Sequence, residues 1–383
     1  MARSEHRTDR ALTVLLAAAA WAGAAGAATG IGSGKEPRAE DGEQPSRVAT
    51  ADTAGAAEPA GAAARARTER DEPLHVVTTI GVLADLATQI GGARVAVESL
   101  TDGRVDAHHI QPRPTLMRRV RQADAFIEIG LSYELWAERV LDGAGNPRLA
   151  AGRPGRIVAS TGIATSGAAA DRALGDVHPE GNPHLWLDPL RLRAMAENVA
   201  GGLARVDPKG AAHYEAGLEA FRDRLDAALF GPALAGSVGG AKLVRLTERG
   251  RLRSYLEARG SGEALGGWLE RARPLEGREL VTYHKSFGYL TERFGMHVAI
   301  EIEEHAGISP SARHRDRVLA VMRARGVGLI LQVDFYDTQA AEWLCARTKA
   351  ELVRLPLDCG GATGVDDSLA LIDTYLAALL AAD

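Results

Sequence analysis

The sequence predicts an α/β fold with two βα lobes, each built on a mostly parallel central sheet, and one long rigid helix joining them. Short β-branched runs alternate with helical patterns over residues 75–206 and again over 279–383, which is typical of βαβ units around a parallel sheet. Between these stretches, apolar side chains recur at helical spacing on one stripe: Tyr214, Leu218, Phe221, Leu225 and Leu229.

The first lobe is expected to span residues 74–206. Its β-branched and apolar runs predict strands, and 3.6-residue periodicity predicts helices between them. The predicted strands cover 75–80, 95–100, 125–130 and 156–159. The predicted helices cover 82–92, 115–123 and 189–206.

The linking helix is expected at residues 207–230, with Asp207 available as an N-cap and Pro208 at the first helical position. The second lobe then spans 231–383, and its first part is rich in Gly and Arg, with helical patterns around Tyr255 and Trp268. The predicted strands that follow cover 279–283, 297–302, 328–333 and 351–355. The predicted helices cover 287–294, 312–325, 338–348 and the segment from 368.

The amino terminus has the pattern of a secretory signal peptide. A segment with Arg3, Arg7 and Arg10 precedes an Ala-rich apolar run that ends in small residues near Ala27. We expect residues 1–28 to be removed and 29–73, which almost lack large apolar side chains, to be a disordered linker. A membrane anchor is the alternative, but the run is short and weakly apolar. No cysteine follows it, so a lipid anchor is not expected and the protein is predicted to be periplasmic.

Composition excludes several classes of function. The 383 residues include 45 Lys plus Arg and 50 Asp plus Glu, a net charge of -5, so there is no argument for nucleic-acid binding. The two cysteines, Cys345 and Cys359, form no C-x-x-C pair, so a metal site must use imidazole and carboxylate. They are either a disulfide or two buried thiols.

Three histidines are the strongest candidates for metal ligands. His108, His184 and His284 each lie where a predicted strand gives way to a loop or helix, which is where α/β folds gather ligand groups. Alone, His108 reads as a solvated loop residue. Its neighbour His109 points elsewhere in an extended segment, so one of the pair is expected to bind. Together the three predict one site assembled by folding.

The sequence motifs alone do not identify the fourth ligand. Asp337 follows the strand that ends at Val333 and is our first choice, although an acid there is also a plausible N-cap of the next helix. Asp334 is the substitute ligand. His178, six residues before His184, reads as a solvated loop histidine, with ion capture or relay as the alternative.

Several motifs in this order resemble the zinc/manganese class of solute-binding proteins of bacterial ABC importers, the cluster A-I group. They are HHIQPRP, GNPHLWLDP, LVTYHKSFGYL and LILQVDFYD, within a similarity that runs from about residue 75 to the carboxyl terminus. The resemblance implies two α/β lobes joined by one rigid helix, with a metal ion in the cleft between them. It places the ligands at His108, His184, His284 and Asp337.

The chain also departs from that family pattern. Val333 and Asp334 stand where many members have Glu-Pro, and the His-rich loop of zinc-specific members is reduced to a stretch with His178 alone. His284 is a nitrogen donor, whereas manganese-type members resemble a two-His, two-carboxylate arrangement. Nitrogen ligands favour Zn²⁺ over Mn²⁺.

The resemblance implies a periplasmic receptor, not an enzyme, that captures Zn²⁺ and delivers it to the membrane permease of an ABC importer. The protein is expected to be a monomer, with a periplasmic metallochaperone as a further partner. One alternative is a secreted zinc-dependent hydrolase, but no H-E-x-x-H motif occurs, and Glu303 and Glu304, the nearest candidate bases, read as loop charges. The other is an adhesin that uses metal structurally.

Overall fold

The computed structural model describes residues 72–167, 178–304 and 307–382. All of them belong to one compact unit, Ala60–Asp383. The expected signal peptide at 1–28 and residues 29–71 of the expected linker lie outside the described residues. Among the helices that are described, none combines the length and the apolar character needed to cross a bilayer.

The first lobe is built on a parallel four-stranded sheet among the described residues, with strand order β2-β1-β3-β4. The central strands β1 and β3 read as apolar runs, because helices cover both faces of a parallel sheet. The four predicted strands are confirmed, each ending one or two residues earlier than predicted. Their bounds are β1 Leu74–Thr78, β2 Val95–Ser99, β3 Ala125–Glu128 and β4 Arg156–Val158.

Two helices of the first lobe start where the sequence supplies proline or a capping group. Pro114 and Pro189 occupy first helical positions, and the Asp188 carboxylate accepts a hydrogen bond from the Leu190 amide. The helix at 137–144 was not predicted, although its buried residues have i, i+3, i+4, i+7 spacing, because eight residues give a weak periodic signal. The helices are α1 Gly81–Gly91, α2 Pro114–Arg121, α3 Ala137–Ala144 and α4 Pro189–Val206.

The linking helix begins with a 3₁₀ turn at Pro208–Gly210 and continues as α5, Ala211–Phe230. All five residues of the predicted apolar stripe are buried. The Asp207 carboxylate accepts hydrogen bonds from the Arg94 guanidinium and the Tyr214 hydroxyl, and so ties the start of this helix to the end of α1.

The second lobe repeats the plan of the first, with strand order β6-β5-β7-β8 and parallel pairing among its described strands. The four predicted strands are confirmed as β5 Glu279–Thr282, β6 His297–Glu301, β7 Leu329–Val333 and β8 Glu351–Leu355. The fold class predicted from the sequence is therefore confirmed. In each lobe the carboxyl ends of the strands lead into loops, where ligand sites of parallel sheets form.

The segment 231–275 holds four short α-helices among its described residues: the two predicted around Tyr255 and Trp268 are confirmed, and two more precede them. Gly231 and Gly239 separate consecutive helices. Both have φ of 87°, a backbone conformation that residues with a side chain rarely adopt. The helices of the second lobe are α6 Pro232–Val238, α7 Gly240–Glu248, α8 Leu252–Ala258, α9 Gly267–Arg271, α10 Gly288–Arg293, α11 Ala312–Arg325, α12 Gln339–Thr348 and α13 Ser368–Ala381.

Hydrogen bonds tie the lobes together beside the linking helix. The buried Asp358 carboxylate, after β8, accepts from the amides of Gly81 and Val82 at 2.6 and 2.7 Å, at the start of α1. The Trp186 indole, in the first lobe, donates to the Leu357 carbonyl at 2.9 Å. These bonds limit how far one lobe can swing from the other. Both cysteines are free thiols, so the disulfide alternative is wrong.

Candidate metal centre

His108 lies in a 3₁₀ turn, Ala107–His109, on the loop that follows β2. Asp106 shapes this turn, because its Oδ1 accepts hydrogen bonds from the His108 amide at 2.9 Å and from Nδ1 of the same ring at 2.7 Å. Burial opposes ionisation of Asp106, but its bonds to His108 outweigh it and lower its pKa to about 2. The side chain of His108 is 5% exposed and that of His109 is 55% exposed. The structure therefore buries the member of the pair that the sequence favoured.

His184 is held by the same device. The Asn182 Oδ1 accepts from the His184 amide at 3.0 Å and from its Nδ1 at 2.7 Å, across the intervening Pro183. The ring is 1% exposed. Burial, and then the neighbouring His108 and His284, lower the pKa of His184 well below its usual value. The imidazole is consequently neutral at pH 7, which is the state that binds metal.

His284 comes two residues after β5 and is the contribution of the second lobe. Its Nδ1 lies 2.9 Å from Oε2 of Glu303, and both side chains are 8% exposed. The interpretation of Glu303 as a loop charge is wrong: its carboxylate holds the His284 ring. This contact also occupies the carboxylate that the hydrolase alternative needed as a free base. Glu304 is exposed.

The three predicted histidines come together. The ring centroids of His108 and His184 are 5.4 Å apart, and that of His284 lies 6.2 Å from the first and 6.0 Å from the second. Within the described chain, the Nε2 atoms of His108 and His184 are buried and have no hydrogen-bond partner. Because an Nδ1–H donates to each orienting oxygen, Nε2 carries the free lone pair of a neutral ring. Orientation of a ring through its second nitrogen is the usual arrangement of a metal-binding histidine.

The separations of the three ring centroids are close to those around a coordinated ion, but those that involve His284 are slightly too large. Imidazoles around a tetrahedral zinc, with Zn–N bonds of about 2.0–2.1 Å, have ring centroids about 5 Å apart. His108 and His184 meet this spacing, whereas His284 lies about 1 Å too far from both. Accordingly, no three His, Cys, Asp or Glu side chains in the described residues are already arranged to hold an ion. A small movement of His284 would be needed.

His178 belongs to the same cluster. Its ring centroid is 5.3 Å from that of His108, its Nε2 is buried, and its Nδ1 lies 3.1 Å from the Leu131 carbonyl oxygen. The interpretation of His178 as a solvated loop histidine is therefore wrong. The signal that could have found it is its position six residues before His184, on the segment that leads into the site.

The predicted acidic ligands lie further out. Asp337 is exposed, and its Oδ1 accepts a hydrogen bond from the Gln339 amide at 2.9 Å, at the start of α12. This is the helix-start contact that the sequence offered as the alternative to metal binding. Asp334 is half-buried, and burial raises its pKa although Arg354 opposes the rise. The structure does not bring either carboxylate into a described contact with the histidines.

Two tyrosines that the sequence did not single out line the cluster. The buried Tyr133 packs edge-on against His108, with ring centroids 4.3 Å apart. The Tyr336 ring lies 6.3 Å from His284, and its hydroxyl is 3.4 Å from Oδ2 of Asp106, so it reaches from the second lobe to the first. Both exclude water from the imidazoles, which strengthens electrostatic interactions at this point.

Comparison with known proteins finds relatives over most of the described chain. The family described as zinc-uptake complex component A, periplasmic, matches residues 76–229 and 263–382. The iron-binding protein YfeA of Yersinia pestis is 24% identical over 279 residues, which is 72% of this chain and 74% of that protein.

Two further relatives are lipoproteins of Streptococcus pneumoniae. The manganese ABC transporter substrate-binding lipoprotein PsaA is 27% identical over 158 residues, 40% of this chain and 48% of the relative. The zinc-binding lipoprotein AdcA is 23% identical over 166 residues, 42% of this chain and 32% of the relative. The chain thus spans less than half the length of these two proteins.

Solved structures have the same fold. The crystal structure of ZnuA aligns with a TM-score of 0.57 at 23% identity and covers 80% of this chain and 99% of that one. The laminin-binding protein Lmb of Streptococcus agalactiae aligns with a TM-score of 0.58 at 20% identity, with 80% and 99% covered.

Proposed function

Because this chain belongs to the zinc-uptake complex component A family, we propose that it is an extracytoplasmic solute-binding protein that captures a divalent metal ion. Zinc is the preferred ion, and manganese is less favoured. The protein takes up the ion from solution or from a periplasmic metallochaperone and delivers it to the membrane permease of an ABC importer. It acts as a monomer. No catalytic step is part of this proposal.

The observation that carries the proposal is the interlobe imidazole cluster. Three ring centroids lie within 6.2 Å of one another, those of His108 and His184 from the first lobe and of His284 from the second. Each ring is oriented by an oxygen that accepts from its Nδ1. An ion at this point contacts both lobes, so binding favours the arrangement of the lobes in which all its ligands reach it. A ligand shifts a conformational equilibrium by its differential contacts, and a permease can therefore distinguish the loaded from the empty protein.

The donor set supports zinc as the cargo. The relatives are named for iron, manganese and zinc, so family membership leaves the ion open. Here the atoms that face the centre are imidazole nitrogens, while Asp106 and Glu303 use their carboxylates to hold rings. Imidazole suits zinc and other late divalent ions, whereas manganese prefers oxygen.

The proposal is tested by single substitutions of His108, His184 and His284 to Ala, with zinc affinity measured by calorimetry in competition with a chelator. We expect each variant to lose more than about 100-fold in affinity, since the loss of a residue outside the ligand shell already costs about 10–100-fold. The wild-type protein should also prefer Zn²⁺ to Mn²⁺ in direct competition.

The matched control is His297→Ala. His297 is an exposed histidine at the amino end of β6, the end of the strand opposite to the one that leads toward the site. Wild-type affinity in all three site variants would contradict the proposal. Selective loss in those three, with the control unchanged, supports it.

A further inference from the structure

We propose that His178 is the fourth ligand of the interlobe site, so that four imidazoles hold the ion and no carboxylate oxygen does. This inference rests on the proposed function and deepens it, since it names the residue that decides the type of ion.

In the first lobe, His108 has two imidazole neighbours near the spacing of a bound ion. The His108 ring lies 5.3 Å from His178 and 5.4 Å from His184, both close to the separation of about 5 Å in a tetrahedral shell. His178 is also close enough to His184 to contribute to the lowering of its pKa. His284, from the second lobe, lies 6.2 Å from His108 and has to approach to complete the shell.

The orientation of His178 matches that of the other three rings. Its Nδ1 faces the Leu131 carbonyl at 3.1 Å, and a carbonyl oxygen only accepts, so Nδ1 carries the hydrogen and Nε2 carries the ring's lone pair. That Nε2 is buried. A backbone carbonyl is one of the usual acceptors behind a metal-binding histidine.

The Leu131 carbonyl is positioned by a strained turn. Gly130, Leu131 and Ser132 all have positive φ, at 81°, 55° and 60°, a conformation that costs energy at the two non-glycine residues. The fully buried Glu134 carboxylate holds the turn, accepting from the Ile129 amide at 2.8 Å and the Gly130 amide at 3.1 Å. Strain held in place in this way is typical of ligand-binding positions.

The segment that carries His178 is fixed by its own hydrogen bonds. The Gly181 amide donates to the His178 carbonyl at 3.0 Å, the Thr165 hydroxyl to the Glu180 carbonyl at 2.6 Å, and the Asn182 amide to the Ser166 carbonyl at 2.8 Å. The backbone that follows His178 is thus attached to the first lobe through Thr165 and Ser166. Asp337, the acid considered for this role, is exposed and bound to the start of α12.

An all-imidazole shell has a chemical consequence. Four neutral nitrogen donors suit Zn²⁺, whereas Mn²⁺ is favoured by carboxylate and water oxygens. With His178 in the shell, the cargo keeps its full double positive charge inside the cleft. The nearby carboxylates of Asp106 and Glu303 offset that charge from behind the rings.

The test compares His178→Ala, Asp337→Ala and His108→Ala in the full chain, with zinc affinity measured by competition calorimetry and Co²⁺ absorption as the probe of the shell. We expect His178→Ala to lose more than about 100-fold in zinc affinity, beyond what an orienting residue costs. Its Co²⁺ absorption should change in position and intensity. His178→Asp, which keeps a donor, should bind again with preference shifted toward Mn²⁺. Circular dichroism and His297→Ala control for folding.

The outcomes separate this inference from the function it rests on. A loss of less than about 100-fold in His178→Ala, with binding lost in His108→Ala, would overturn the His178 assignment and leave the receptor function standing. The same assignment fails if Asp337→Ala alone alters the Co²⁺ absorption. Wild-type affinity in His108→Ala would remove both proposals.

Discussion

Each histidine at the site is prepared for metal binding by a neighbour close to it in the chain or on the adjacent strand end. Asp106 and Asn182 lie two residues before His108 and His184, and each accepts from both the backbone amide and the ring of its histidine. Glu303 does the same for the His284 ring from the end of β6. These contacts fix the tautomer, so that the lone pair of Nε2 points into the cluster.

The contribution of Asp106 is tested by Asp106→Asn. The amide oxygen still accepts from Nδ1 of His108, but without the negative charge it makes the ring a weaker donor to the ion. We expect zinc affinity to fall by about 10-fold, measured by competition calorimetry. Asp102→Asn, on the same loop, is the control, because Asp102 contacts the Arg104 amide and not the cluster. Equal losses in both variants would contradict this role for Asp106.

At the scale of elements, helix α1 of the first lobe takes its N-terminal acceptor from the second lobe. Ile80, which precedes it, has no side-chain capping bond, and the Asp358 carboxylate binds the Gly81 and Val82 amides instead. It also accepts from its own neighbour, the Cys359 amide, at 2.8 Å. A carboxylate at a helix N-terminus interacts favourably with the helix dipole. The packing of α1 against the second lobe is therefore specified by one side chain.

We expect Asp358→Ala to lower the free energy of unfolding by about 3 kcal/mol, because three amides, two of them buried, lose their acceptor and α1 loses its cap. Urea unfolding followed by circular dichroism measures this. Asp366→Ala, at an exposed position nearby, should change stability by less than about 0.5 kcal/mol. A similar small change in both variants would show that water replaces the carboxylate.

At the scale of the whole molecule, the two lobes are held at several points around the cleft. The Arg293 guanidinium, at the end of α10, donates to both oxygens of the buried Asp188 at 2.7 and 2.8 Å, and the Tyr289 hydroxyl donates to the Asn182 carbonyl at 2.8 Å. Together with the Asp358 contacts and α5, these bonds oppose a wide hinge motion. The shift of about 1 Å that brings His284 to zinc distance is much smaller than such a motion.

We expect zinc to change the distance between the lobes by less than about 3 Å, because the contacts across the cleft remain in place. Spin labels at Arg139→Cys on α3 and Ala324→Cys on α11, both exposed, report this distance in pulsed electron resonance. Cys345→Ser removes the more accessible native thiol. A change of more than about 5 Å on zinc addition would indicate hinge closure instead.

The sequence by itself determined the eight strand positions, the long linking helix and the three histidines. These features depend on local periodicity, on β-branched runs and on residues placed at strand ends. It did not determine that Glu303 orients His284, that His178 joins the cluster or that Tyr336 reaches Asp106. Those contacts join residues 19, 70 and 230 positions apart in the chain, from His284 to Glu303, His108 to His178 and Asp106 to Tyr336. No local pattern encodes such pairs. The first two form where strand ends and loops of one lobe meet, and the third forms only because the two sheets bring their strand ends to one cleft.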